Sequence, residues 1–122
     1  MSIITVYGIP NCNSVKKTLD WLDSNKIKYA FHNYKKEGIT IEKLHQWCKK
    51  AHWELLFNTK GTTWKKIADE YANKKMSEKL AIDIMLENTS IIKRPVIETS
   101  SILIIGYDED ALLDLKKSTR NK

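Results

Sequence analysis

The stretch IITVYGIPNCNSVKKTLDWLDSNKIKYAFHNY, residues 3–34, decides the fold of this chain. Its first five residues, Ile3 to Tyr7, are β-branched or aromatic and predict a buried strand. Gly8 to Asn11 end that strand, and Lys28 to Tyr34 predict a second one. Between them, apolar residues recur at helical spacing: Val15, Leu19 and Leu22. Strand, helix and strand within one short stretch predict a right-handed βαβ unit with parallel strands.

The middle of the chain predicts helices alone. Three N-caps are expected there, namely Thr40, Thr63 and Ser77. The helix after Thr40 should turn one apolar stripe inward: Ile41, Leu44, Cys48 and Ala51. We therefore expect an all-helical insertion at about residues 40–90.

The last third of the chain returns to β-structure and ends in a helix. Val96–Thr99 and Ile102–Ile105 predict two short strands that pair as an antiparallel hairpin. Asp108 should cap a final helix, which has acids at its start and lysines at its end. The element order is β-α-β, then helices, then β-β-α. We expect one α/β domain over residues 1–122, large enough to bury a core without disulfides or metal.

Composition excludes several classes of protein. The chain has 122 residues, of which 42% are hydrophobic and 30% charged. No apolar run approaches the roughly 20 residues that span a bilayer. The first residues lack the pattern of a signal peptide, so we expect a cytoplasmic protein without a membrane partner. Two cysteines are too few for a disulfide framework and should be thiols there.

The net charge of +6 comes from 21 basic and 15 acidic residues. Four of the basic residues stand in a stretch without acids at about 116–122: Lys116, Lys117, Arg120 and Lys122. A frayed basic C-terminal tail is the favoured interpretation, and a phosphate-binding arm is the alternative. Direct DNA binding is not expected, because no recognition helix rich in Arg or Asn stands out.

Cys12 lies between the end of a strand and the first turn of a helix. A thiolate there faces free backbone N–H groups, which lower its pKa from the usual value of about 8.5. Lys16 and Lys17 add positive potential one turn later, and Ser14 can donate its hydroxyl to the sulfur or cap the helix. These features favour a reactive thiol over a small buried apolar residue.

The surroundings of Cys12 exclude other thiol chemistries. Position 15 is Val, so there is no Cys-x-x-Cys dithiol, and Thr18 stands where a tyrosine phosphatase loop needs Arg. Cys48 is expected to be a core residue, with a resolving role as the alternative. His45, Cys48 and His52 share helical spacing and could hold zinc, but we expect no metal because such triples arise by accident.

Lys93-Arg94-Pro95 is the second notable segment. Pro95 at the start of a strand either simply marks the edge of that strand or belongs to a turn that aligns a sulfur-bearing ligand beside the thiol. Arg94 either forms an ion pair at the surface or uses its guanidinium to bind carboxylates and oxyanions. A third segment, Asn58 to Thr63, offers donors in a turn that contains glycine, or merely caps the next helix.

Three motifs together resemble the arsenate reductase (ArsC)-related family, in its YffB/Spx-like branch. They are Tyr7-Gly8-Ile9-Pro10-Asn11-Cys12-Asn13-Ser14-Val15-Lys16-Lys17, Asn58-Thr59-Lys60-Gly61-Thr62-Thr63-Trp64 and Ile91-Ile92-Lys93-Arg94-Pro95. The resemblance runs from about residue 2 to about 115. It implies a thioredoxin-like fold, with a mixed four-stranded sheet and a helical insertion. It also implies that the peptide bond before Pro95 is cis and that Pro95 faces the active cysteine.

The resemblance implies a function centred on Cys12. In arsenate reductases the matching cysteine attacks arsenate, and three arginines hold the oxyanion. Of these only Arg94 has a counterpart here, since the others fall near Asn58 and near Gly106. We therefore expect a glutathione-dependent monothiol oxidoreductase, with glutathione as co-substrate. An Spx-like regulatory module that binds RNA polymerase is the alternative, and arsenate reduction is third.

The resemblance also distributes the roles in the expected site. Cys12 and Arg94 are the expected catalytic residues. The remaining candidates are expected to bind the substrate or the small thiol: Asn11, Ser14, Lys16, Lys17, Asn58, Lys60 and Pro95.

Overall fold

The computed structural model of the protein describes residues 4–120, and side chains as far as residue 118. Its internal contacts form two compact units. The sheet unit comprises the chain up to Asn33 and from Arg94 onward, and the helical unit is Tyr34–Lys93. The organisation expected from the sequence, one domain with an insertion at about 40–90, stays a prediction. Within the described residues no helix is long and apolar enough to cross a membrane.

The sheet unit contains a mixed four-stranded sheet in the order β2-β1-β3-β4. β1 and β2 are parallel, whereas β3 runs antiparallel to both β1 and β4. This confirms the predicted thioredoxin-like α/β fold, including the parallel βαβ start and the hairpin near the end. The elements are β1 (Thr5–Gly8), α1 (Asn13–Ser24), β2 (Ala30–Asn33), β3 (Val96–Glu98), β4 (Leu103–Ile105) and α7 (Glu109–Arg120).

The core of the sheet unit follows from the register of the strands. Val6, Ile97 and Ile104 are partners across β1, β3 and β4. Because side chains alternate along a strand, these three project from the same face of the sheet. Helices α1 and α7 bring apolar residues to this cluster. The cluster consists of Ile4, Val6, Leu22, Ile97, Ile104, Leu112 and Leu115.

The helical unit has a core of its own, in which α3 and α4 pack on α6. Thr40 Oγ1 accepts a hydrogen bond from the backbone N–H of Lys43, and Ser77 Oγ accepts one from that of Leu80. Both predicted N-caps are thus confirmed. The elements are α2 (Tyr34–Glu37), α3 (Ile41–Lys50), α4 (Trp53–Leu56), α5 (Thr62–Ile67), a 3₁₀ turn (Ala68–Tyr71), α6 (Glu78–Glu87) and a second 3₁₀ turn (Thr89–Ile91).

Two predictions in this part of the chain are wrong. Tyr34 begins α2 instead of ending β2, because the register with β1 stops at the pair Gly8 and Asn33. In α3 the buried residues are Leu44 and Trp47, whereas Ile41 is 40% exposed and Cys48 half-buried. The inward face is therefore rotated from the predicted stripe. Trp47 offers far more apolar area to bury than a cysteine does.

Two further predictions need correction. Thr63 does not cap α5, since Gly61 occupies the N-cap and Thr63 Oγ1 instead forms a 2.7 Å hydrogen bond with Ser90 Oγ. The basic tail does not fray at Lys116, because α7 continues to Arg120. Lys116 Nζ donates to Asn25 Oδ1 over 2.7 Å, which holds this part of the helix. The remainder of the predicted tail, residues 121–122, lies outside the described residues, as does Ile3 of the first predicted strand.

Candidate active site at the start of the first helix

Gly8 determines how the chain passes from β1 into α1. A Cβ atom at this position would lie 2.7 Å from Cγ2 of Val15, a side chain that is fully buried. Real Cβ contacts are longer, so only glycine lets the first turn of α1 approach the strand this closely. This role of Gly8 was not predicted from the sequence. The one signal available there was a lone glycine at the end of an apolar strand.

Cys12 itself is the N-cap residue of α1. Its backbone is extended, with φ −119° and ψ 125°, and its carbonyl accepts the first helical hydrogen bond from the Lys16 N–H at 2.9 Å. The side chain is half-buried and makes no capping hydrogen bond of ordinary geometry. The thiol therefore lies at the positive end of the helix, where the first N–H groups have no helical partner.

The pKa of the Cys12 thiol is lowered from its ordinary value. Partial burial acts to raise it, but three donors outweigh burial. These are the backbone N–H of Val15, the Arg94 guanidinium and the backbone N–H of Ser14, all of which favour the thiolate. The positive charge of Arg94 acts in the same direction. The arrangement thus supplies a nucleophile at a lower pH than a free cysteine would.

Arg94 reaches Cys12 because of strand pairing. β1 and β3 are antiparallel, with Tyr7 opposite Val96, so the end of β1 lies beside the start of β3. The segment after β1 carries Cys12, and the segment before β3 carries Arg94. The Arg94–Pro95 peptide bond is cis, as the resemblance implied, and Pro95 is buried. The Pro95 carbonyl accepts a hydrogen bond from the Gly106 N–H at 2.7 Å.

The other predicted residues near Cys12 differ in their contacts. Ser14 faces the thiol through its backbone N–H, and its carbonyl accepts from Thr18 Oγ1 at 2.8 Å. Ser14 is therefore not the N-cap of this helix. Asn11, Lys16 and Lys17 are exposed, and Lys17 Nζ lies 5.9 Å from the centre of the Tyr107 ring. The side-chain charge that lowers the Cys12 pKa comes from Arg94.

Asn58 and Lys60 belong to the helical unit. Asn58 is half-buried, its N–H donates to the Ile91 carbonyl at 2.8 Å, and its Oδ1 accepts from the Lys60 N–H at 3.0 Å. Both residues line a cavity of that unit. The structure thus brings Cys12, Ser14, Arg94 and Pro95 into one unit and places these two candidates in the other.

Cys48 differs chemically from Cys12. Burial, and then the carboxylate of Glu78, raise the pKa of the Cys48 thiol. Both cysteines are free thiols. His52 lies beyond the end of α3, where its Nδ1 accepts from the Glu54 N–H at 3.2 Å. Over residues 4–120 no three His, Cys, Asp or Glu side chains form a group that could hold a metal ion.

Comparisons with known proteins agree with this geometry. The model of the ArsC family matches residues 7–115. An uncharacterised protein of Haemophilus influenzae is 36% identical over 107 residues, which covers 88% of this chain and 93% of that protein. The global transcriptional regulator Spx 1 of Lactococcus lactis is 30% identical over 112 residues, 90% of this chain and 86% of its own.

A solved structure gives the same result. The protein named YFFB superposes with a TM-score of 0.86 and 40% sequence identity, covering 91% of this chain and 96% of its own. The matched residues run from Tyr7 in β1 to Leu115 in α7 and so include Cys12, Arg94 and Pro95. By this match over most of its length, the chain belongs to the ArsC family.

Proposed function

We propose that the protein is a monothiol oxidoreductase whose nucleophile is the Cys12 thiolate and whose reductant is glutathione. One observation carries the proposal: Cys12 stands at the N-cap of α1, where Arg94 and two backbone N–H groups lower its pKa. A thiolate, unlike a thiol, attacks disulfide sulfur. The Arg94 guanidinium is therefore catalytic in this proposal, since it stabilises the charge on the reacting sulfur.

The reaction takes two exchange steps. The Cys12 thiolate attacks the glutathione sulfur of a glutathionylated substrate, which forms a Cys12–glutathione disulfide and breaks the substrate disulfide. The substrate leaves as a thiolate and takes up a proton. A second glutathione, as its thiolate, then attacks the glutathione sulfur held by Cys12, so glutathione disulfide leaves and the Cys12 thiolate returns. In the net reaction the substrate sulfur is reduced from disulfide to thiol while the sulfur of one free glutathione is oxidised from thiol to disulfide, and the glutathione sulfur that came with the substrate stays in a disulfide throughout.

An external thiol is needed because no second cysteine stands close to Cys12 in the sequence. Val15 stands where a Cys-x-x-Cys motif has its second cysteine, and it is fully buried. The raised pKa of the Cys48 thiol makes it a poor nucleophile. A cytoplasmic location is part of the proposal, because a reducing compartment keeps such a thiol free.

Binding of glutathione is assigned to the groups around the thiol. Arg94, Lys16 and Lys17 attract its two carboxylates. Asn11, Ser14 and the backbone beside Pro95 align it against the sulfur. The role of Asn58 and Lys60 in thiol binding stays a prediction.

The test is a glutathione-coupled assay with a small glutathione mixed disulfide as substrate. The Cys12→Ser variant should lose turnover, because serine is not a nucleophile toward disulfides, whereas Cys48→Ser should retain it. Mass spectrometry of the wild type with glutathione disulfide should find one glutathione, attached to Cys12. Turnover that survives in Cys12→Ser would overturn the mechanism.

The second candidate function is a regulatory module that docks a protein partner such as RNA polymerase, with Cys12 as a redox sensor. The 30% identity to a relative named a global transcriptional regulator favours it. It predicts a stable complex when the tagged protein is mixed with purified RNA polymerase, and no turnover in the assay above. Turnover without complex formation would favour the enzyme.

Arsenate reduction is the third candidate, and the structure adds an observation against it. Gly106, near the position of the third arginine in arsenate reductases, has φ +83°. Side chains other than glycine are strained there, so an arginine would need a different backbone. Arsenate-dependent oxidation of glutathione that disappears in Arg94→Ala would revive this candidate.

A further inference from the structure

The helical unit contains a cavity of about 270 Å³ that the nucleophilic chemistry proposed for Cys12 does not use. Its apolar wall is made by Trp53, Phe57, Trp64 and Met76. Cavities that hold small ligands are lined mainly by aromatic and apolar groups with a few polar ones, and they begin at roughly 300 Å³. The volume here suits a flat molecule of one or two rings.

The aromatic wall is preorganised by ring contacts. Trp53 meets Phe57 edge to face with ring centres 6.0 Å apart, and Phe57 meets Trp64 likewise at 5.0 Å. Behind them Trp64 stacks on Tyr71 at 6.0 Å. Phe57 is only 4% exposed, whereas both tryptophans are half-buried and so present ring surface to an incoming molecule. Such rings bind a planar ligand at little cost in side-chain entropy.

The polar rim carries excess positive charge. Lys60 and Lys93 line the cavity, and over residues 4–120 neither ammonium group has an ion pair or hydrogen bond. The one carboxylate at the rim, Glu54, lies 3.7 Å from His52 Nδ1. Two lysines and a single carboxylate line the cavity, so an anion is favoured over a cation, even though aromatic rings alone would attract a cation.

Asn58 adds a neutral donor to the rim. Its Oδ1 accepts from the Lys60 backbone N–H at 3.0 Å, which identifies Nδ2 as the other end of the amide. Within the described part of the chain Nδ2 has no acceptor. Gly61 leaves room for this group, since a Cβ there would lie 3.1 Å from it. The amide can therefore donate to a carboxylate oxygen of a ligand.

We propose that this cavity binds a small planar aromatic carboxylate, with the ring between the Trp53 and Trp64 side chains and the carboxylate at Lys60, Lys93 and Asn58. Every residue that the proposal uses belongs to the helical unit, whereas Cys12 and Arg94 belong to the sheet unit. It assigns a ligand class to the Asn58–Lys60 turn, which the sequence had associated with thiol binding.

The probes for the test are 2-naphthoate and its uncharged analogue 2-naphthalenemethanol. Calorimetry and quenching of tryptophan fluorescence should both report one saturable site for 2-naphthoate. The alcohol should bind at least about fivefold more weakly than 2-naphthoate. Trp64→Phe should remove much of the quenching, whereas Trp21→Phe, in the sheet unit, should not. Cys12→Ser should bind as the wild type does.

Charge variants test the geometry of the rim. Lys60→Gln and Lys93→Gln should each weaken 2-naphthoate binding by about two- to fivefold and leave the alcohol unaffected. Lys65→Gln, an exposed lysine of α5 outside the cavity, is the matched control and should bind like the wild type. The proposal is overturned if neither probe saturates, or if the two rim variants bind 2-naphthoate as well as Lys65→Gln does.

Discussion

Arg94 supplies Cys12 with both a hydrogen bond and a positive charge, while burial of the thiol acts in the opposite direction. The two backbone donors, from Val15 and Ser14, depend on the helix and remain in any variant that keeps α1 intact. Arg94 is therefore the single side chain whose removal isolates the electrostatic part of the activation. Its half-buried position limits screening by water and salt.

Arg94→Gln should raise the pKa of Cys12, because glutamine has no charge and donates a weaker hydrogen bond. The measurement is the rate of Cys12 alkylation by iodoacetamide against pH in a Cys48→Ser background. The wild-type profile should rise at lower pH than that of a free thiol, and the variant profile at higher pH than the wild type. Lys16→Gln should leave the profile unchanged. Equal midpoints for Arg94→Gln and the wild type would contradict this assignment.

At the scale of elements, the packing of the end of β1 against α1 holds the thiol in place. Gly8 lies against Val15, and Val15 is fully buried. Thr18 ties the first turns of α1 together through the Ser14 carbonyl. Any shift of α1 away from the strand therefore moves the N–H groups that face the Cys12 sulfur.

Gly8→Ala should destabilise the protein by about 1–3 kcal/mol, since the added methyl overlaps Cγ2 of Val15 and forces a backbone shift. Urea unfolding followed by circular dichroism measures the change, and Cys12 alkylation should slow at neutral pH. A double-mutant cycle with Val15→Ala supplies the control. In the Val15→Ala background Cγ2 of Val15 is absent, so Gly8→Ala should lower the free energy of unfolding by much less. If Gly8→Ala destabilises the Val15→Ala variant as much as it destabilises the wild type, the proposed overlap with Val15 is wrong.

At the scale of the whole molecule, a buried tyrosine makes the stability of the chain depend on pH. The Tyr7 hydroxyl, on β1, donates to Glu98 Oε1 on β3 over 3.0 Å, and Tyr7 is only 6% exposed. Burial of the ring, and then the charge and hydrogen bond of Glu98, hold the pKa of Tyr7 well above its usual range. A raised folded-state pKa stabilises the protein below the unfolded pKa of about 10, and this stability is lost as pH rises further.

Tyr7→Phe should lower the free energy of unfolding by about 1–3 kcal/mol at pH 8, because the hydrogen bond from the Tyr7 hydroxyl to Glu98 is lost. The difference from the wild type should shrink above about pH 10, where the unfolded chain gains by ionising its tyrosine. Urea unfolding at several values between pH 8 and 11 measures both effects. Tyr107→Phe is the matched control. Its hydroxyl also donates to a carboxylate, Glu109 Oε1 at 2.9 Å, but at an exposed site. If the free energies of unfolding of Tyr7→Phe and the wild type differ by the same amount from pH 8 to 11, the raised pKa of Tyr7 does not contribute to the pH dependence of stability.

Features that depend on residues close together in the chain are predictable from the amino-acid sequence. The helix between the first two strands, the caps Thr40 and Ser77, and the hairpin before the last helix agree with the structure. Asp108 Oδ1 likewise accepts from the Ala111 N–H at 3.2 Å, as its predicted cap role requires. Periodicity and capping act within a turn or two, so these elements leave a local signal. The position of Cys12 at a helix start was visible for the same reason.

Contacts between groups that are distant in the sequence depend on how the whole chain folds. Pairing of β1 with β3 brings Arg94 to Cys12, and the approach of α1 to β1 requires a glycine at position 8. Packing of α3 on α6 turned Trp47 inward instead of Ile41. Each of these outcomes is a competition between segments far apart in sequence for the same buried space or the same hydrogen bond. Such a competition leaves no mark in the local pattern of residues, so it is settled only when the chain folds.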